Sequence, residues 1–342
     1  MTTSGLLHSD TTRTVLITGA TGFIGSALTR RLLERGDRVI ALSRDPARAR
    51  RRLGAAPVIV GSLREIAATE EIDAVVNLAG APVLGHRRWS KRRRHELATS
   101  RIGLTRELVA WLAGRAQRPE VLTSASAIAW YGARKIDEGG EAALDETSPV
   151  GGDFRAALCN AWEREAASAT MLGIRVCRLR MGVVLGTEGK LLKGVLPLYR
   201  LGLGSKLGSG RQWLSWIHID DAVELILRSL TDPLFSGAIN ATAPLPVRQA
   251  EFAATLARAV HRPVLLRLPE AALELALGEM SNLLLDSQRV LPRRAKEIGF
   301  VFRYHDLETA LHDLLTPPRV NRGAHRGTPR GATVRLLDNL LT

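Results

Sequence analysis

Cysteine is scarce: Cys159 and Cys177 are the only two in 342 residues. Two isolated thiols give neither a disulfide framework nor the paired spacing of a metal site. No run approaches the ~20 consecutive apolar residues of a membrane span. Residues 1–12 lack the basic and apolar blocks of a secretory signal, so a reducing cytoplasm is the expected compartment. Acidic residues are outnumbered, 34 against 48 Lys and Arg, which leaves a net charge of +14. That balance suits anionic partners, phosphate-bearing cofactors among them. It is weak evidence for nucleic acid, because arginine far outweighs lysine throughout, as a base-composition bias would leave it. Internal repeats beyond β-α units are also missing. What remains, 45% hydrophobic and 24% charged, is an ordinary globular composition long enough for two lobes.

What is there centres on residues 15–25, VLITGATGFIG. A β-branched apolar run reads as a buried strand, and Ala27, Leu28, Leu32 and Leu33 then recur at helical spacing. Between them Gly19, Gly22 and Gly25 stand three apart. Strand, glycine turn and helix make a phosphate cradle: exposed N–H groups and the helix dipole favour an anion. Gly19, Thr21, Gly22, Phe23, Ile24 and Gly25 are therefore expected to bind a dinucleotide. The spacing is G-x-x-G-x-x-G and not the commoner G-x-G-x-x-G.

A second strand at 38–42 completes a parallel β-α-β unit. An acid after this strand selects the ribose hydroxyl of NAD, whereas an Arg accommodates the 2′-phosphate of NADP. Here Ser43 and Arg44 are placed to grip that phosphate. Asp45, the competing signal, sits beside Pro46 and reads better as a helix start. A third strand at 57–60 leads to Ser62 and Leu63, expected to border the adenine. A fourth at 74–80 ends in a small-residue turn, where Leu78, Ala79 and Gly80 let backbone pass a ligand. A fifth strand at 121–127, a loop at 138–153, a helix at 154–171 and a sixth strand at 174–180 follow. The basic run 87–94 reads as a solvated helix start, since one tryptophan is not the repeated aromatic platform of a single-strand binder.

Beyond residue 182 the composition changes. Residues 182–210 hold eight glycines and read as loops capping a cleft. Asp220 and Asp221 are placed to cap a helix. Residues 244–315 read as a mostly helical lobe with a strand at 263–269, and 317–342 as a basic, disordered tail. The expected architecture is α/β: a Rossmann-like doubly wound parallel sheet over 13–243, with 187–212 contributing to the substrate lobe, and a smaller, mostly helical C-terminal lobe over 244–316.

These residues resemble an extended short-chain dehydrogenase/reductase. Thr18 to Gly25, Asn77 to Gly80, Ser124 to Ala127, Tyr131-Gly132 and Trp216 to Asp221 carry the likeness. More narrowly, Trp162-Glu163, 182–186, 201–204, 207–213, Ala243-Pro244, 278–280 and 288–292 are similar to the epimerase family of atypical members. The likeness spans about 14–315. It implies an NADP(H)-binding lobe and a substrate lobe, and leaves the reaction open. The wider superfamily uses a Tyr-x-x-x-Lys pair on the helix after the fifth strand, the Lys lowering the pKa of a Tyr that acts as acid/base. At those positions this chain has Cys159 and Glu163.

Tyr131 to Lys135 matches the string, but Gly132 and the nearby strand end argue against a shared helix face. Ser126 corresponds to the substrate-positioning serine, with Ser124 as the alternative. The candidates for chemistry are thus Ser126, Tyr131, Cys159 and Glu163. Cys159 reads equally as a small buried helix residue. Arg101, where the superfamily has an Asn, would balance the charge of Glu163. Arg211, Trp213 and His218 fall where extended members place substrate contacts, and Arg211 suits an anionic small molecule. His218 reads more naturally as packed at a strand end. Two functions fit: an NADP(H)-dependent oxidoreductase or epimerase-like enzyme, and an NADP(H)-sensing regulatory protein.

Overall fold

The structure, a computed structural model, describes residues 12–83 and 90–316. The tail at 317–342, residues 1–11, and Arg87, Arg88 and Trp89 of the basic run lie outside the described residues. The first half alternates strand and helix: β1 (Thr14–Thr18), α1 (Phe23–Glu34), β2 (Arg38–Leu42), α2 (Pro46–Leu53), β3 (Val58–Val60) and β4 (Ala74–Asn77). Next come α3 (Lys91–Ala98), α4 (Leu104–Ala113), β5 (Val121–Ala127), a short β6 (Ala143–Leu144), α5 (Phe154–Ala167) and β7 (Arg175–Met181). One π-helical turn, Thr99–Gly103, joins α3 to α4.

The second half holds β8 (Val183–Leu185), α6 (Lys190–Arg200), β9 (Ser205–Leu207), β10 (Trp213–Leu214), β11 (Trp216–His218), α7 (Ile219–Thr231) and β12 (Gly237–Ala241). It ends with β13 (Val247–Arg248), α8 (Gln249–Ala259), β14 (Leu266–Leu268), α9 (Glu270–Leu277), α10 (Asn282–Leu285), β15 (Arg289–Val290), α11 (Arg293–Glu297) and α12 (Leu307–Leu315).

Seven strands form the central sheet in the order β3-β2-β1-β4-β5-β7-β12, every neighbouring pair parallel. Helices cover both faces, which is why the inner strands read as unbroken apolar runs. Val15, Ile17, Val39, Val76 and Val121 face one core with Leu28 and Leu32 of α1 and Ile226 of α7. Leu16, Ile40, Val75 and Leu122 face the opposite core with Leu108 and Leu112 of α4 and Ala166 of α5. The strand order reverses direction at β1, so the crevice between the ends of β1 and β4 is where a dinucleotide fold takes its ligand.

Residues 244–316 divide their packing. Phe252, Leu256, Leu307 and Leu311 form a third core with Leu185 and Trp216 of the preceding segment. Ala295, Ile298, Phe300 and Phe302 instead return to the first core with Phe235 and Ile239.

His218 corrects the substrate-contact expectation. It ends β11 with 1% of its surface exposed, stacked on Tyr304 at 3.8 Å between ring centroids. Its Nδ1 accepts the Asp220 N–H at 3.1 Å and so caps α7. Neither aspartate does that work: Asp221 accepts the backbone N–H groups of Arg303 and Tyr304. The strand end buries the ring where the sequence alone leaves its direction open.

Burial holds the His218 pKa below its ordinary value, with Asp220 and Asp313 opposing. The unfolded chain therefore binds a proton that the native one resists. The stabilisation is full above the unfolded pKa, ~6.5, and is lost as pH falls from there toward the native value. His218→Asn keeps a capping acceptor but removes the titration. Urea midpoints at pH 7, 6 and 5 should fall more steeply for the wild type than for this variant, and parallel slopes would refute the role.

Candidate functional site

The glycine turn is dictated by contact. Gly19 has φ +73, and a Cβ there would stand 2.7 Å from the Leu78 carbonyl carbon and 2.8 Å from Ala79 N. The ends of β1 and β4 thus touch backbone to backbone. A Cβ at Gly25 would lie 2.2 Å from Gly19 O, so α1 packs directly on the turn. Thr18 Oγ1 donates to Asn77 Oδ1 and accepts the Ala79 N–H, fixing the two strand ends together. Asp45, Ser90, Asp153 and Asp306 each cap a later helix with a side chain. Helix α1 starts at Gly22 with no side-chain cap and no acid in its first turn. Amides left this way, with the dipole behind them, fit a phosphate.

Phe23 and Ile24 of the motif serve packing. A Cβ at Gly186 would meet the Phe23 ring at 2.5 Å and one at Gly189 at 2.9 Å, so the ring props the loop after β8. Ile24 packs on the first core. Thr21 is half-buried in the turn.

At the end of β2, Ser43 and Asp45 hydrogen-bond each other locally, and the Asp45 carboxylate accepts the Arg48 N–H. The acid is spent as the α2 cap, as the neighbouring proline suggests. Arg44 is exposed and has no side-chain partner among the described residues. Ser62 caps the next turn. Leu63 is 5% exposed in the second core, so only its backbone can border a ligand. Leu78 packs on the first core. Arg101 bends over Gly80, donates to Ala81 O and lies against the Trp162 ring.

Arg101 therefore makes no pair with Glu163. The hydrogen-bonded partner is Arg180, which binds it through Nε at 2.8 Å and Nη2 at 3.1 Å, with Arg178 Nη1 3.6 Å from the same carboxylate. Strand register explains the match. Ser126 on β5 and Asn240 on β12 are both register partners of Arg180 on β7, so the three form one row across the sheet. Glu163 of α5 closes onto that row. Ser126 donates to Glu163 Oε1 at 2.7 Å, Arg180 Nη1 donates to Tyr131 OH at 3.1 Å, and Tyr131 donates to Asn240 Oδ1 at 2.7 Å. The Arg180 guanidinium also lies 3.8 Å over the Trp130 ring. All five linked residues are at most 3% exposed.

This network sets the protonation of the candidates. Burial pushes the Tyr131 hydroxyl up to about 12, with Arg180 opposing. Burial, and then Glu163, pushes the Cys159 thiol up to about 12. Both keep their protons at neutral pH, and Cys159 is an inert packed thiol rather than a nucleophile. The hydroxyl hydrogens of Ser126 and Tyr131 are already donated. Lys135 is exposed, 3.9 Å from Glu270, and shares no helix with Tyr131, whose turn ends at Gly132 with φ +75. The sequence reading missed Arg180 and Asn240. Arg180 is the sixth of the seven residues of β7; a buried arginine needs a buried acid, but nothing local in the sequence says which acid.

On the substrate side, Arg211 is exposed, 3.6 Å from Asp137. Trp213 lies under Arg248 at 3.9 Å and Arg289 at 5.0 Å, and its Nε1 donates to Glu141. No helix among the described residues is long and apolar enough to cross a membrane.

Residues 15–240 match the model of the NAD dependent epimerase/dehydratase family, and residues 268–314 match a domain of unknown function, DUF1731. The chain is 39% identical over 314 residues to the epimerase family protein SDR39U1 homolog, chloroplastic, of Arabidopsis thaliana, covering 90% of this chain and 88% of that one. It is 39% identical over 307 residues to epimerase family protein YfhF of Bacillus subtilis, covering 88% and 97%. The crystal structure of human epimerase family protein SDR39U1 (isoform 2) with NADPH superposes with a TM-score of 0.78 at 33% identity, covering 88% of this chain and 99% of that chain.

Removing one member of a buried ion pair strands the other charge, at about 3–5 kcal/mol. Arg180→Met should lower the unfolding free energy by that order. Adding Glu163→Leu should recover most of the loss, because the one charge it leaves behind, on Arg178, is partly exposed to water. Urea denaturation of the two variants measures this; a double variant that loses the sum of both single effects would contradict the pairing.

Proposed function

The chain belongs to the NAD dependent epimerase/dehydratase family, and on that premise we propose that it binds NADP(H) and uses it as an oxidoreductase or epimerase-like enzyme on a small anionic molecule. One observation carries the cofactor choice: Asp45 is consumed as a helix cap while Arg44 beside it has no side-chain partner among the described residues. The human relative solved with NADPH supports the same reading. The first-turn amides of α1 would hold the pyrophosphate, Arg44 and Ser43 the 2′-phosphate, Ser62 and the Leu63 backbone the adenine side, and the Leu78–Gly80 turn the middle of the cofactor. When bound, the nicotinamide supplies or accepts hydride. Ser126, Glu163, Arg180 and Tyr131 act as a rigid, neutralised floor beneath the crevice. The expected compartment is the cytoplasm, both cysteines being free, and no nucleic-acid partner is proposed.

A second reading rests on that floor. Its hydroxyl protons are committed to Glu163 and Asn240, which supports a protein that senses NADP(H) without turning over a substrate. The cationic cluster around Trp213 favours the enzyme, since a sensor needs no second pocket.

Thermal unfolding with NADPH, NADP+, NADH and NAD+ tests the shared claim. A ligand at ~100 times its dissociation constant stabilises by about 2.7 kcal/mol. We expect a rise with the phosphorylated pair alone, and Arg44→Ala should erase the difference between the two pairs. No shift with any of the four would sink both readings. NADPH oxidation over a panel of anionic carbonyl compounds then separates enzyme from sensor.

A further inference from the structure

Three arginines and one indole meet where the C-terminal lobe touches the loop after β5. Trp213 is the antiparallel register partner of Arg248, which places the guanidinium 3.9 Å over the indole ring. Arg289 opens β15 and reaches the same ring at 5.0 Å. The indole is fixed by its own backbone, since Trp213 N–H donates to Ser287 Oγ and Gln288 N–H donates to Trp213 O. Arg211, two residues before Trp213, stands at the rim.

The charges do not balance. Glu141 accepts from both Arg248 Nη2 at 2.6 Å and Trp213 Nε1 at 3.1 Å. Asp137 faces Arg211. Arg289 has no carboxylate partner among the described residues, and its Nε is buried without any acceptor. A buried donor on a charged group left unpaired is costly. A second orphan lies close in the fold. Trp130 Nε1 is buried without an acceptor, in the turn whose flanking carbonyls, Ile128 O and Gly132 O, are held by Gln288 Nε2. Gln288 immediately precedes Arg289. The unmet Arg289 donor and the excess of guanidinium specify a ligand rich in acceptors and negative in charge.

We propose that Trp213, Arg248 and Arg289 form an oxyanion subsite for the carboxylate or phosphate of the substrate, and that Glu141 is its internal plug. An arriving oxyanion takes the place of the Glu141 carboxylate on Arg248 and gives Arg289 the acceptor it lacks. Glu141 is exposed, so it leaves for water at low cost, whereas Arg248 and Arg289 are half-buried and stay against the indole. Arg211, the residue that sequence spacing favours, is secondary: it is exposed and already faces an acid. This inference deepens the reading of an anionic substrate made above and rests on it, but not on the cofactor.

Isothermal titration of the full chain with inorganic phosphate and, separately, with malonate at constant ionic strength tests it. The two probes distinguish a phosphate from a carboxylate preference. Wild type should bind one of them measurably. Glu141→Gln should bind about tenfold tighter, having lost a charged competitor. Arg289→Met should lose the binding, and Arg44→Ala should retain it. Loss in Arg44→Ala with retention in Arg289→Met would move the anion to the glycine turn and overturn the subsite. An unchanged affinity in Glu141→Gln, whose exposed side chain bears on no core packing, would overturn the plug. Urea denaturation of every variant reports folding, and a thermal shift of the wild type with NADPH reports the cofactor reading separately: its absence alongside Arg289-dependent anion binding would sink the cofactor and leave the subsite standing.

Discussion

The Glu163–Arg180 pair is the interaction on which the centre of this molecule depends. Neither charge can sit in that layer alone, because each is at most 3% exposed and a lone buried ion is expensive. Once they are paired, the surroundings follow. Two arginine donors and the Ser126 hydroxyl converge on one carboxylate, and the remaining arginine nitrogen fixes Tyr131, which fixes Asn240. Helix α5 is thereby tied to β5, β7 and β12 at one depth. The superfamily that this chain resembles keeps a Tyr and a Lys on that helix for proton transfer; here Cys159 and Glu163 stand at those positions, the first packed and the second bound by Arg180.

The crevice has opposite ends in a chemical sense. At the glycine turn it offers neutral backbone amides, with no side chain spent on capping α1. Over the sheet it offers a closed set of hydrogen bonds around Glu163. At the C-terminal lobe it offers the Arg289 guanidinium, which has no carboxylate partner among the described residues. On the proposed reading an anion is attracted at the first and third places and met by a rigid surface between them. That distribution agrees with the net charge of +14 without involving nucleic acid.

The legible part of the sequence was the local part. Strand, glycine turn and helix lie within twelve residues of one another, and the reason for each glycine is a contact inside that unit or with the next strand end. Asp45 before a proline is local too, and its capping role was correctly read. The buried network was illegible because its members are far apart in sequence: Ser126, Glu163, Arg180 and Asn240 meet only through strand register, and an offset of one residue would send each to the other face. Arg101 was the nearest arginine by superfamily analogy, and it failed as the partner because its chain direction carries it over Gly80 instead. His218 failed for the same kind of reason: which way a ring turns at a strand end is decided by Tyr304, eighty-six residues later.

The same reasoning bears on reaction chemistry. A proton donor must touch its acceptor and be free to lose its proton. Ser126 and Tyr131 donate their hydrogens to Glu163 and Asn240, so either would have to exchange that bond for one to a substrate before giving up its proton. Cys159 fails the first condition, being packed in the core of α5 with its thiol held up to about 12 by burial. A hydride reaction that drew its proton from water or from the substrate itself would avoid that exchange. Such a reaction gains little from a tuned acid and much from a fixed substrate orientation. The cost of a buried arginine pair, a propped loop at Phe23 and an indole held against two guanidinium groups is the cost of that rigidity, spread over elements that the chain brings together only in its folded state.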